Sequence, residues 1–95
     1  MTLEEFKNLT QPNADFSPEL RALWWDYQGD WHQAHDQVDS LEGKSAARVH
    51  AYLHRKEGDQ WNAEYWYRRA GEANPNGTLV EEWEYLVLRF LARLE

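Results

Sequence analysis

Apolar residues recur along this chain at the spacing of helix faces. Ala63, Trp66, Tyr67 and Ala70 fall at i, i+3, i+4 and i+7, which places them on one side of an α-helix. Leu20, Leu23, Trp24 and Tyr27 repeat that spacing, and Ala34, Val38 and Leu41 make a shorter stripe. Towards the C-terminus Trp83, Val87, Phe90 and Leu94 share a face, flanked by Leu86 and Leu91. No stretch sustains the apolar–polar alternation, bounded by turn residues, that would predict a strand.

Start and stop signals divide these stripes into six helices. Thr2-Leu3-Glu4-Glu5 and Thr78-Leu79-Val80-Glu81 are capping boxes, predicting a short helix from Leu3 to about Leu9 and a long one over 79–94. Ser17-Pro18-Glu19 opens a second helix, with Ser17 as cap and Pro18 at the first helical position; Gly29 ends it. Asp30 caps a third helix from Trp31 to about Leu41, which Gly43 stops, and Ser45 caps a fourth that runs to Glu57. Gly58 and Asp59 then repeat the Gly-Asp stop and start before a fifth helix, Gln60 to Ala70.

Sliding the chain so that Gly29-Asp30 falls on Gly58-Asp59 superimposes two hairpins, about 18–41 and about 45–70. Ala22 then falls on Ala51 and Ala34 on Ala63, small residues of the kind that let two helices cross closely. The expected fold is all-α: one domain of two stacked antiparallel helical hairpins, a short N-terminal helix and a long C-terminal capping helix that seals the open end. Trp61 and Trp66 are expected in the core. Of the adjacent pair Trp24 and Trp25, at least one should be partly exposed or lie under the N-terminal segment.

Composition narrows the function. Seventeen acidic residues against ten Lys and Arg leave a net charge of −7, which repels phosphate backbones and argues against nucleic acid as partner. The absence of cysteine excludes disulfides and thiolate metal sites. No run approaches the roughly 18 apolar residues of a membrane span, and the first residues lack the layout of a secretory signal, so a cytoplasmic location is expected. Six tryptophans and five tyrosines supply either core or stacking surface.

The run Arg48 to Pro75 resembles a tetratricopeptide repeat, through Ala51, the Gly58-Asp59 turn, Ala63, Tyr67, Ala70 and the closing Pro75. Ala22, Trp25, Gly29, Ala34 and Val38 carry the likeness in the first hairpin. The stretch His50–Arg55 followed by Tyr65–Gly71 is also similar to a group of short bacterial proteins, a likeness that implies no chemistry. The tetratricopeptide resemblance implies a non-enzymatic module that binds an extended peptide on the first helix of each pair. That face would present Glu19, Leu23, Asp26 and Tyr27, then Arg48, Tyr52, Arg55 and Lys56. Arg48, Arg55 and Lys56 at i, i+7 and i+8 suit an acidic or C-terminal peptide, with Tyr52 and Tyr27 offering ring contact. The competing reading is a solvated face of ion pairs.

A second candidate site is a pocket where the third, fourth and fifth helices converge. His35, His50, His54, Glu64, Tyr65 and Tyr67, walled by Trp25, would bind a sugar-like molecule or run His–Glu acid–base chemistry there. His50 and His54 are one turn apart and His32 and His35 three residues apart, as helical metal sites require, and Asp36, Asp39 and Glu64 offer oxygen. No His-Glu-x-x-His arrangement is present. The expectation is therefore a structural role, each ring hydrogen-bonded to a Tyr, a Glu or a carbonyl, with no metal site. No phosphate loop, nucleophile elbow or Cys/His pair implies a catalytic residue or a cofactor. The expected partner is a protein or peptide. The chain itself would be a monomer or a weak homodimer through the apolar face of its last helix.

Overall fold

In a computed structural model that describes residues 1–94, the helix signals produce six α-helices and, among the described residues, no strand. They are α1 (Leu3–Lys7), α2 (Pro18–Tyr27), α3 (Trp31–Val38), α4 (Lys44–Lys56), α5 (Gln60–Ala70) and α6 (Leu79–Ala92). Five of the six begin on a side-chain cap. Thr2 and Thr78 complete reciprocal capping boxes, while Ser17, Asp30 and Asp59 each accept from a backbone N–H three residues on.

The exception is α4. Ser45 does not cap it: the helix starts at Lys44, two residues earlier than a Ser45 cap would set it, from Gly43 at φ +102° with no side-chain cap bond. The Ser45 hydroxyl instead accepts from Arg93 Nη1 at 2.8 Å, tying α4 to the end of α6.

The two Gly-Asp turns have the same backbone. Gly29 and Gly58 sit at φ +86° and +87°. The N–H of Asp30 donates to the Trp25 carbonyl at 3.0 Å, and that of Asp59 donates to the His54 carbonyl at 2.9 Å. A left-handed glycine followed by this reach-back bond satisfies the last carbonyls of a helix and turns the chain sharply. Each turn folds its two helices together, α2 on α3 and α4 on α5.

α3 packs on α4, and α6 lies against both α2 and α4. Phe6, Phe16, Leu20, Leu23, Val38, Val49, Leu53, Leu86, Val87 and Phe90 belong to one buried cluster, while Ala51, Ala63 and Tyr67 form a smaller one inside the second hairpin. Ala22, Ala34, Ala51 and Ala63 are all fully buried. Tryptophan N–H groups tie the elements together. Trp83 donates to the Leu23 carbonyl at 2.9 Å, Trp31 to Leu53 at 2.8 Å, and Trp24 to Leu9 at 3.3 Å. Trp24 thus lies under the N-terminal segment, and Trp25 is half-buried beside it.

Besides the Ser45 cap, four further expectations about core and boundaries fail. α1 stops at Lys7 instead of Leu9. α3 stops at Val38, so the periodicity no longer applies at Leu41, which is exposed. α6 ends at Ala92, leaving Leu94 beyond it and exposed. Trp61 is 71% exposed instead of in the core, because it stands about 200° round the helix from Ala63.

Candidate functional site

The cations expected to meet a ligand are held by the chain itself. On α4, Arg48 is buried, its Nη1 donating to Glu82 Oε2 at 2.7 Å and its Nε to Glu72 Oε1 at 3.1 Å. Arg55, one face-repeat later, donates to the other Glu82 oxygen at 2.7 Å and to the Gly77 carbonyl at 2.7 Å. Tyr67 on α5 donates to Glu82 Oε2 at 2.6 Å. A single buried carboxylate on α6 therefore collects two guanidinium groups and a phenol. The hydrogen bond that Arg55 donates to Glu82 raises the pKa of Arg55, and burial together with the same acceptor pushes the Tyr67 phenol up. Arg89 joins the far end through Glu72 at 3.0 Å. Arg48 is placed as an internal tie, not as part of an open ligand surface.

The remaining residues expected on that face divide in two. Leu23 is fully buried in the core, so it presents nothing to a ligand. Asp26, Tyr27, Tyr52 and Lys56 come together, with Lys7, Leu79, Val80 and Trp83, around an open groove of about 320 Å³ between α2, α4 and the start of α6. Tyr52 donates to Asp26 Oδ2 at 2.5 Å and Lys56 to Asp26 Oδ1 at 2.8 Å, so the buried Asp26 carboxylate is fully engaged. Burial first, and then the Asp26 charge, push the Tyr52 phenol up. Tyr27 stacks on Trp83 with centroids 5.0 Å apart, and the Lys7 ammonium stands 5.9 Å from each ring centre. Lys7 also lies 3.8 Å from Glu4 and from Glu84.

The imidazoles converge as the second site requires, without the expected acid. The ring of His35 is 5.0 Å from that of His50 and 5.4 Å from that of His54, and Trp31 and Trp66 bracket the group at 4.9 Å from His35 and 4.2 Å from His50. The carboxylates beside the rings are Asp39 and Glu57, not Glu64: Glu57 meets His54 Nδ1 at 2.6 Å. Tyr65 reaches the cluster only through Trp66, its ring packing on Trp61 and Trp66 and its hydroxyl accepting from Arg69. His32 is exposed, its ring edge-on to Trp31.

His50 departs from the expectation that every ring is hydrogen-bonded. It is 1% exposed, and neither ring nitrogen has a hydrogen-bond partner. Burial, reinforced by the neighbouring His35 and His54, lowers its pKa from 6.5 to about 4, so the ring is neutral at pH 7.

Residues missing from the expected sites are Glu82, Glu72, Lys7, Leu79, Val80 and Trp83. Glu82 had a readable signal: it falls at i+3 from Leu79 and i−4 from Leu86, an acid inside an apolar stripe, which must find a buried partner. Lys7 had none, because only the packing of α1 beside α6 brings it to the groove. No protein-family model, curated protein or solved structure matches the chain.

Proposed function

We propose that this chain is a non-enzymatic binding domain of tetratricopeptide type, and that an acidic or C-terminal peptide segment enters the groove between α2, α4 and the start of α6. One observation carries this reading: the stacked Tyr27–Trp83 rings form an apolar wall with two ammonium groups, Lys7 and Lys56, beside it. Tyr27 and Val80 are exposed at the groove, so a ligand side chain covers apolar surface while its carboxylate meets a lysine. The two matching Gly-Asp turns support the repeat assignment. In this reading Arg48 and Arg55 act indirectly, by fixing α6 so that Trp83 and Leu79 form one side of the groove.

The domain works in the cytoplasm with a protein or peptide partner, as a monomer or as a weak homodimer through α6; the apolar face expected to make that seam is buried in the core at Trp83, Leu86, Val87, Phe90 and Leu91, which leaves Tyr85 and Leu88 exposed for it. Among the described residues no helix is long and apolar enough to cross a membrane. The test is an array of acidic C-terminal peptides, with binding followed by tryptophan fluorescence. Val80→Asp and Lys7→Gln should each weaken a bound peptide at least about tenfold while leaving the fold intact, since Lys7 makes only 3.8 Å ion pairs whereas Lys56 is the partner of the buried Asp26. If no acidic peptide binds, or if both variants bind as well as the native chain, the groove is not the site.

A further inference from the structure

Three metal-ligating atoms from the two hairpins meet at one point. His35 Nε2 on α3 lies 3.7 Å from Asp39 Oδ1, at the C-cap of the same helix, and His50 Nε2 on α4 lies 3.8 Å from that oxygen. All three atoms are within 4.8 Å of one another. His35 and Asp39 are one turn apart, so α3 alone sets them on one face. His50 arrives from the other hairpin.

His50 makes this more than a chance meeting. A buried polar atom without a partner forfeits its hydration with nothing in return, and such atoms are rare enough in folded proteins to require a reason. Here both nitrogens of one buried ring are left open, and one of them faces an imidazole and a carboxylate. At 3.8 Å the carboxylate is too far away to be the missing hydrogen-bond acceptor.

We propose that His35, Asp39 and His50 bind a zinc ion that joins the two hairpins, with water completing the coordination on the exposed Asp39 side. Two imidazoles and one carboxylate are a donor set suited to zinc. Zinc–ligand bonds of about 2.0–2.1 Å in a tetrahedron separate neighbouring ligand atoms by about 3.3–3.4 Å, so the two carboxylate–imidazole gaps, 3.7 and 3.8 Å, close by a few tenths of an ångström. Asp39 is exposed and ends its helix, so it can supply that movement. The rings are already held: Trp31 stacks on His35 at an interplanar angle of 12°, and Trp66 covers His50. His54 stands behind them, engaged by Glu57.

The experiment is calorimetric titration of the EDTA-stripped full chain with zinc sulfate, with thermal melts in parallel. One equivalent should bind with Kd below about 10 µM, and free zinc at a hundredfold over Kd should raise Tm by ~10 °C. Asp39→Asn and His35→Gln, both at less buried positions than His50, should each weaken binding at least about tenfold, while Glu57→Gln should not. The proposal is overturned by the absence of saturable binding at about 100 µM zinc. It is overturned equally if Asp39→Asn and His35→Gln bind zinc as tightly as the native chain. Loss in Glu57→Gln alone would place the ion at His54, Glu57 and Asp59, and would overturn it too.

Discussion

Glu82 Oε2 accepts from Arg48 Nη1 at 2.7 Å with both side chains out of solvent, an ion pair that fastens α6 to the middle of α4. The same carboxylate accepts from Arg55 and Tyr67, so one residue bonds two guanidinium groups and a buried phenol, with Glu72 supplying the second negative charge at Arg48. Buried pairs of this kind often contribute little net stability, yet losing one partner is expensive because the other is left desolvated and unpaired.

Glu82→Ala should therefore destabilise the fold by about 3–5 kcal/mol, far beyond an ordinary surface substitution. Equilibrium urea unfolding measures it. A loss below about 1 kcal/mol would mean that Arg48 and Arg55 find water or Glu72 instead, and that the network is not what holds α6.

The two Gly-Asp turns should behave as one device made twice. Nothing lies within 4 Å of a Cβ added at Gly29 or at Gly58, so an alanine there pays only for its left-handed backbone. Gly29→Ala and Gly58→Ala should each lower stability by about 1–2 kcal/mol, and by similar amounts. Clearly unequal losses in urea would show that the turns are not equivalent.

In the metal-free chain, stability should fall as the pH drops from about 6.5 towards about 4. His50 is neutral when folded, held so by burial and by His35 and His54, with Asp39 opposing them, while the unfolded ring takes up a proton at its ordinary value. The unfolded state thus binds more protons across this window, and the contribution is lost on acidification and stays lost below about 4. The expected size is about 3 kcal/mol. Proton NMR of the His50 ring through an acid titration checks it directly: a midpoint near 6.5 would contradict the buried, unpartnered ring.

Trp61 and Trp83 should separate cleanly. Trp61→Ala should change stability by no more than about 0.5 kcal/mol, because the ring is exposed and meets Tyr65 only at 6.2 Å. Trp83→Ala should cost about 3–5 kcal/mol, through the lost burial and the lost bond to the Leu23 carbonyl. Comparable losses at the two positions would contradict the observed burial.

Capping and turn chemistry made the elements legible. Ser17, Asp30, Asp59 and the two threonine boxes work through backbone groups within three residues, so local sequence carries the whole signal. Leu41 and Leu94 continue the apolar spacing of α3 and α6 beyond the points where those helices stop, so periodicity alone assigns them to a face they do not share. Half of the expected peptide face, Asp26, Tyr27, Tyr52 and Lys56, does line one groove. Arg48 and Leu23 do not, since a cation on a helix face reads the same whether solvent or Glu82 covers it. The histidines are legible as one-turn pairs and Asp39 as one of three acids that offer them oxygen, but the sequence does not say which of the three stands beside His50.

From sequence alone follow the helical class, the six elements and the repeated Gly-Asp turn, because helix periodicity and capping act over a few residues. Tertiary structure decided which charges are used up inside and which face the groove, and it placed Asp39 rather than Glu64 beside His50. Those outcomes depend on how separate helices pack against one another, over separations in the chain that no local pattern records.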